Sequence, residues 1–312
     1  MSQLIQQLQQ LTDREFILPT SNGTAALTLA LLVDPKNGNV ALPANTCFSV
    51  LSAIHASGRG AHVLDIELDR YQSLAGEIAD TSSSIMVHCM GMMTDGLMWE
   101  EYTTHNNTFL IEDACLVLGG TYKNRKAGSF GKVSVLSFGY DKIVDAGGGG
   151  AFLTDDETLY TKAKAILEEN KLFQMTEEVE KNVVEALAGL EESLAIRKEN
   201  ASYLEKYLTD RLIRKPFITQ DDPLWRYSFL FRGDRDFMLK KAQEEHMIMT
   251  SHYQSLHRLR TGEDLANASY FSDHIVNVFI KPGTDKVYLD RVIEFFDRYE
   301  EPEPQGILST II

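Results

Sequence analysis

Three short stretches of this sequence combine residue types that can do chemistry. The first, Ser21-Asn22-Gly23-Thr24-Ala25-Ala26-Leu27, leads from polar and glycine residues straight into a helix-forming run. Such a helix start presents unpaired backbone N–H groups and the positive end of the helix dipole, which suits a phosphate; it serves equally well as an ordinary Ser/Asn cap. The second, Phe109-Leu110-Ile111-Glu112-Asp113-Ala114-Cys115, is an apolar strand ending in two acids. Ligands of open α/β sheets bind beyond the carboxyl ends of the strands, so an acid there fits a metal, a sugar or a cofactor, or else caps the next helix. Spacing leaves open which acid faces a site.

The third stretch runs Ser134-Val135-Leu136-Ser137-Phe138-Gly139-Tyr140-Asp141-Lys142 and continues to four consecutive glycines, Gly147 to Gly150. Consecutive glycines cost backbone entropy and are expected where the chain turns at positive φ or passes close to a ligand. A lysine between such a strand and such a loop is either solvated or held partly desolvated beside a ligand. Desolvation lowers its pKa and makes it a nucleophile toward carbonyls.

The surrounding elements must position these groups. Ser2 caps an amphipathic helix carrying Leu4, Ile5, Leu8 and Leu11. From there to Thr154, short apolar runs at 16–18, 40–42, 62–66, 84–89, 108–113, 134–138 and 151–154 alternate with helical stretches near 23–33, 46–57 and 96–104. That alternation predicts a mostly parallel sheet covered on both faces. Residues 155–208 have almost no Gly or Pro and read as one or two long helices. Beyond them, strands at 225–231 and 274–280 and helices at 234–246 and 285–299 predict a small α+β unit. The end, residues 301–312, reads as a Pro-broken tail with an apolar tip that docks on a partner or on the body.

Composition narrows the partners. A net charge of −15 disfavours nucleic acid and anionic membrane, which are gripped by clustered cations. Cys47, Cys89 and Cys115 form no CxxC pair, no metal spacing is present, and no run approaches the ~20 apolar residues of a membrane helix, so a reducing cytoplasm is expected. Met90, Met92 and Met93 read as core or pocket lining, His252 and His257 as a turn surface, and Glu177, Glu178 and Glu180 as a solvated helix face.

Taken in order, the three stretches resemble the DegT/DnrJ/EryC1/StrS family of pyridoxal-phosphate (PLP) enzymes, best known as sugar aminotransferases. The family pattern has a Gly-Thr/Ser-Ala helix start, a Glu-Asp-Ala strand end, Ser-Phe, a lysine five residues after that serine, and a Gly-rich turn, and this chain carries all five. Residues 42–72, 119–138, 249–257 and 287–296 are similar to the segments between and beyond them.

The resemblance implies an α/β, aspartate-aminotransferase-like (PLP fold type I) large domain at 1–205, including a bridging long helix, and a small α+β C-terminal domain at 206–312. It implies Lys142 as the catalytic lysine that bonds to PLP and moves the proton, and Asp113 as the partner of the pyridine nitrogen. Gly23, Thr24 and Ser137 would hold the phosphate, with Cys47, or else Phe48, at the ring-stacking position. The implied activity is transfer of an amino group from an amino acid, glutamate first among donors, to a nucleotide-linked keto sugar, in a homodimer. The alternatives are a non-nucleotide keto substrate and a PLP-binding or partner-binding relative without catalysis. The chain departs from the pattern at Leu116, at Gly148, and in lacking an Asn-x-Arg-Met segment between Lys171 and Leu187.

Overall fold

The apolar runs are short and flanked by turn residues, so they form strands that need cover on both faces. The computed structural model describes residues 2–73, 75–78, 81–259 and 264–300. The first nine strands are β1 (Phe16–Thr20), β2 (Val40–Pro43), β3 (Ala61–Leu64), β4 (Ser83–Val87), β5 (Phe109–Asp113), β6 (Thr121–Tyr122), β7 (Arg125–Lys126), β8 (Val133–Ser137) and β9 (Gly150–Thr154). Seven of them build the main sheet in the order β1-β9-β8-β5-β4-β2-β3, while β6 and β7 pair as a separate ribbon. The neighbours from β8 to β3 are parallel, and β9 runs antiparallel to both β8 and β1. The parallel arrangement gathers the carboxyl ends of β2, β4, β5 and β8 on one edge.

Four helices lie among these strands: α1 (Gln3–Thr12), α2 (Gly23–Val33), α3 (Phe48–Ala56) and α4 (Gly96–His105). Ser2 caps α1 as expected, its Oγ accepting from the Ile5 amide. Helix α2 is buried along nearly its whole length, as the uniformly apolar Ala-Ala-Leu-Thr-Leu-Ala-Leu-Leu-Val run requires. Each fully buried Leu contributes about 1.5–3 kcal/mol.

Residues 155–208 form three helices where the sequence predicted one or two: α5 (Glu157–Glu169), α6 (Glu177–Leu187) and α7 (Leu190–Tyr207). Caps make the difference. Thr176 Oγ1 accepts from the Val179 amide, and Glu177, Glu178 and Glu180 place negative charge in the first turn of α6. Between α5 and α6 the chain folds back on β1, with Ser21 N–H and Oγ donating to the carbonyls of Phe173 and Leu172 (2.7 Å each).

The C-terminal part contains β10 (Ile213–Arg214), β11 (Tyr227–Phe231), α8 (Arg235–Glu244), α9 (Ala266–His274), β12 (Ile275–Val278) and α10 (Lys286–Arg298). Its three strands form an antiparallel sheet, β10-β11-β12. Helix α9 was not expected, because its sequence, Ala-Asn-Ala-Ser-Tyr-Phe-Ser-Asp-His, hides an apolar face of Ala268 and Phe271 among polar residues. One apolar cluster joins Leu42 and Val87 of the main sheet to Phe229, Val276 and Phe296 of this part. The expected apolar tail, 301–312, lies outside the described residues. Among the described residues no helix is long and apolar enough to cross a membrane.

Candidate active site

The carboxyl-end edge of the main sheet encloses a cavity of about 260 Å³. Gly23, Thr24, Cys47, Asp113, Ser137 and Lys142, six residues spread over 120 positions of sequence, all line it.

The start of α2 forms one wall. Asn22, extended at φ −169°, caps the helix by accepting from the Ala25 amide (2.8 Å). Gly23 packs so closely on the end of β8 that a Cβ there would lie 2.8 Å from Ser137 Cβ and 3.2 Å from Ser137 Oγ. At Gly150 a Cβ would lie 2.4 Å from the Asn22 carbonyl carbon. Both glycines are therefore needed for the helix start, the Ser137 hydroxyl and the Thr24 side chain to share one concave surface.

The two acids of β5 separate across the sheet. Glu112 is fully buried and accepts from the Gly128 and Phe130 amides and Ser134 Oγ (2.8 Å each) and from His88 Nε2 (2.9 Å). Burial would raise its pKa, but these hydrogen bonds and the nearby Arg14 charge outweigh it and hold the carboxyl below the usual range. Asp113 faces the cavity, where one oxygen accepts from the Cys115 amide (3.0 Å). Among the described residues no cation pairs with it. Alternation along the strand thus decides what spacing left open: Asp113 is the acid in the site.

Lys142 follows β8 on a tight turn closed by Lys142 N–H to Gly139 O (3.2 Å) and Ala146 N–H to Phe138 O (2.9 Å). Its side chain is half-buried at the cavity, and among the described residues it makes no ion pair. Cys47, at the cap of α3, lines the cavity, whereas Phe48 turns outward and is 59% exposed. Leu116 adds an apolar wall.

Several lining residues carried no local signal. His88, just past β4, lines the cavity; its Nδ1 accepts from the Thr94 amide (2.9 Å), which puts the ring proton on Nε2, toward Glu112. Tyr253 reaches the cavity from beyond α8, its ring stacked on Trp225 with centroids 6.0 Å apart and planes within 12°. Burial, then Cys47 and Asp113 nearby, keep its phenol protonated well above the ordinary range. Of the two histidines read as a turn surface, His252 is exposed, but His257 is buried between Ser255 Oγ (2.6 Å) and Ser269 Oγ (2.9 Å), which satisfy both ring nitrogens. Met90, Met92 and Met93 are core residues, as expected. Among the described residues no group of three or more His, Cys, Asp and Glu is placed to hold a metal ion.

Comparison with known proteins places this geometry. The sequence profile of the DegT/DnrJ/EryC1/StrS aminotransferase family matches residues 1–297. GDP-perosamine synthase of Escherichia coli O157:H7 is 31% identical over 155 residues, 47% of this chain and 43% of that protein. L-glutamine:2-deoxy-scyllo-inosose aminotransferase of Streptomyces kanamyceticus is 25% identical over 223 residues, 62% of this chain and 52% of that protein. The chain thus aligns with about half the length of these relatives. In fold, a DegT DnrJ EryC1 StrS aminotransferase from Brucella abortus superposes with a TM-score of 0.86 at 21% identity, covering 95% of this chain and 90% of that one.

Proposed function

Because the chain belongs to the DegT/DnrJ/EryC1/StrS aminotransferase family, we propose that it is a PLP-dependent aminotransferase that moves an amino group from an amino acid, glutamate first among candidates, to a keto sugar. The observation that carries the reading is the convergence on one cavity of an acid and a lysine that, among the described residues, have no ion-pair partner, and of a glycine-opened helix start.

The residues present fit the cofactor. The cradle that a Cβ on Gly23 would fill, bordered by Thr24 and Ser137, suits its phosphate. Asp113, with an oxygen to spare, suits a protonated ring nitrogen, and Cys47 with Tyr253 borders the space beside the ring. When bound, PLP supplies an electron sink that allows the Cα–H bond of an amino donor to break. Lys142 Nζ would carry the cofactor and move the proton at Cα, for which an amine without a salt-bridge partner is suited. The apolar side chains of Leu27, Val50, Val87 and Leu116 exclude water from this face.

The test is an absorbance spectrum with added PLP, before and after glutamate, in parallel with Lys142→Ala. A cofactor band that requires Lys142 and bleaches with glutamate supports the reading. A band that no amino acid bleaches points to a binding protein without catalysis, and no band removes the cofactor assignment.

A nucleotide-linked acceptor is the first substrate reading. A non-nucleotide keto-cyclitol is the second, favoured by one observation: among the described residues that line the cavity Lys142 is the only Lys or Arg, whereas a diphosphate calls for cations. Turnover of nucleotide-linked against free keto sugars separates the two.

The assembly proposed is a cytoplasmic homodimer whose chains divide at about residue 205, in the last turn of α7. Tyr140, 82% exposed, lines the cavity, and Phe48, 59% exposed, stands between the lining residues Cys47 and Ser49, apolar surface that a second copy would cover. Light scattering showing a monomer at micromolar concentration would remove this part of the reading.

A further inference from the structure

Asp141 stands directly before Lys142, yet it does not line the cavity. It is buried, 7% exposed, with φ at 60°. This left-handed region is one that Asp and Asn enter at less cost than other non-glycine residues. Four groups hold it there. Its N–H donates to Asp145 Oδ2 (2.8 Å), and its carbonyl accepts from Trp225 Nε1 (2.5 Å). One carboxylate oxygen accepts from Lys281 Nζ (2.6 Å), the other from the Arg226 guanidinium.

Three of these partners come from the small antiparallel sheet, since Trp225 and Arg226 lead into β11 and Lys281 follows β12. The partners are themselves fixed. Arg226 lies over the rings of Trp225 and Phe279, at 4.0 and 4.4 Å, and donates to Thr250 Oγ1 (2.5 Å). Arg197 of α7 donates to the Trp225 carbonyl (2.5 Å). Burial alone would raise the Asp141 pKa, but Arg226 and Lys281 outweigh it and keep the carboxylate ionised. Removing the Asp141 carboxylate would leave the buried Arg226 guanidinium without its acid, so the inner pair holds together as a unit.

We infer that Asp141 is a positioning residue for Lys142: clamped by Arg226, Lys281 and Trp225, it ties the turn that carries the lysine to the small sheet and so fixes where the lysine side chain enters the cavity. The inference rests on Lys142 being the reacting amine. It gives the small sheet a part in the chemistry without placing any of its charged groups in the cavity, and it makes Lys142 one peptide bond removed from a rigid point.

Asp141→Asn is the informative variant, because asparagine keeps the left-handed backbone and the shape while removing the charge. In the cofactor-free chain, amide hydrogen exchange across residues 139–146 should rise about tenfold or more while the amides of β8 and β11 keep their protection. With PLP restored, kcat for the glutamate half-reaction should fall about tenfold or more while KM for glutamate stays within about twofold. Lys281→Met removes the outer ion pair, from a side chain 35% exposed, and should show the same pattern at smaller amplitude. It also keeps the test decisive if Asp141→Asn does not fold. Unchanged exchange across 139–146 overturns the inference, as does a rise shared equally by β8 and β11, which would make Asp141 a general stability element. A wild-type chain lacking any half-reaction would overturn the reading of Lys142, and the exchange data would then decide the clamp by themselves.

Discussion

Glu112 and Asp113 are neighbours in β5 that face opposite sides of the sheet, and the two sides are built on opposite terms. Behind the sheet, Glu112 accepts four hydrogen bonds, and Arg14 beside it donates to the carbonyls of Gly128, Phe130 and Gly131, to Ser134 Oγ and to Asp155. In front, Asp113 accepts one backbone amide, and among the described residues Lys142 makes no ion pair. A buried network that is satisfied throughout serves the fold, whereas polar groups left with spare capacity at a cavity are prepared for a ligand.

The contrast is broken most severely by emptying the satisfied side. Glu112→Ala should cost about 3–5 kcal/mol in urea unfolding, because it leaves His88 Nε2 and two buried amides without their acceptor and takes one acceptor from Ser134 Oγ. The same measurement on Asp113→Asn should show a loss of less than about 1 kcal/mol, since a single amide contact is affected. Its cost should instead appear in the glutamate half-reaction, slowed on the order of 10²-fold. A Glu112→Ala chain of normal stability, or an Asp113→Asn chain that unfolds readily, would reverse the assignment of the two sides.

Gly23→Ala sharpens the comparison at the cavity edge. A Cβ 2.8 Å from Ser137 Cβ forces a local shift, so PLP affinity measured by titration should drop about tenfold while stability falls by about 1 kcal/mol. The smallest effect expected is in pH dependence. Glu112 has a depressed folded pKa, so its contribution to stability is present above the usual glutamate value of about 4.5 and is lost as pH falls through the folded value. The slope of stability against pH below 4.5 should therefore flatten in Glu112→Gln and persist in Asp113→Asn.

Legibility differed by the range of the signal. The seven strands of the main sheet, β11, β12, α2 and α3 follow from local periodicity, caps and glycines, each acting over a few residues, whereas β6, β7 and β10, two residues each, are too short to leave a pattern. The break of 155–208 into three helices was also local, written in Thr176 and its acids, but masked by the absence of Gly and Pro around it. Tyr253 and the buried state of His257 had no such signal, because their partners lie in other elements or in the turn of their own segment.

By itself the sequence determined a covered parallel sheet with a phosphate-suited helix start, an acid pair and a lysine at the carboxyl ends of its strands. Only the tertiary structure decided that Asp113 faces the cavity and Glu112 the interior, that Cys47 lines it and Phe48 does not, and that Asp141 is held by residues 85 and 140 positions away. The physical reason is that backbone periodicity and capping are encoded at separations of two to four residues. Which polar group finds a partner across the core depends on packing between elements that no local pattern specifies.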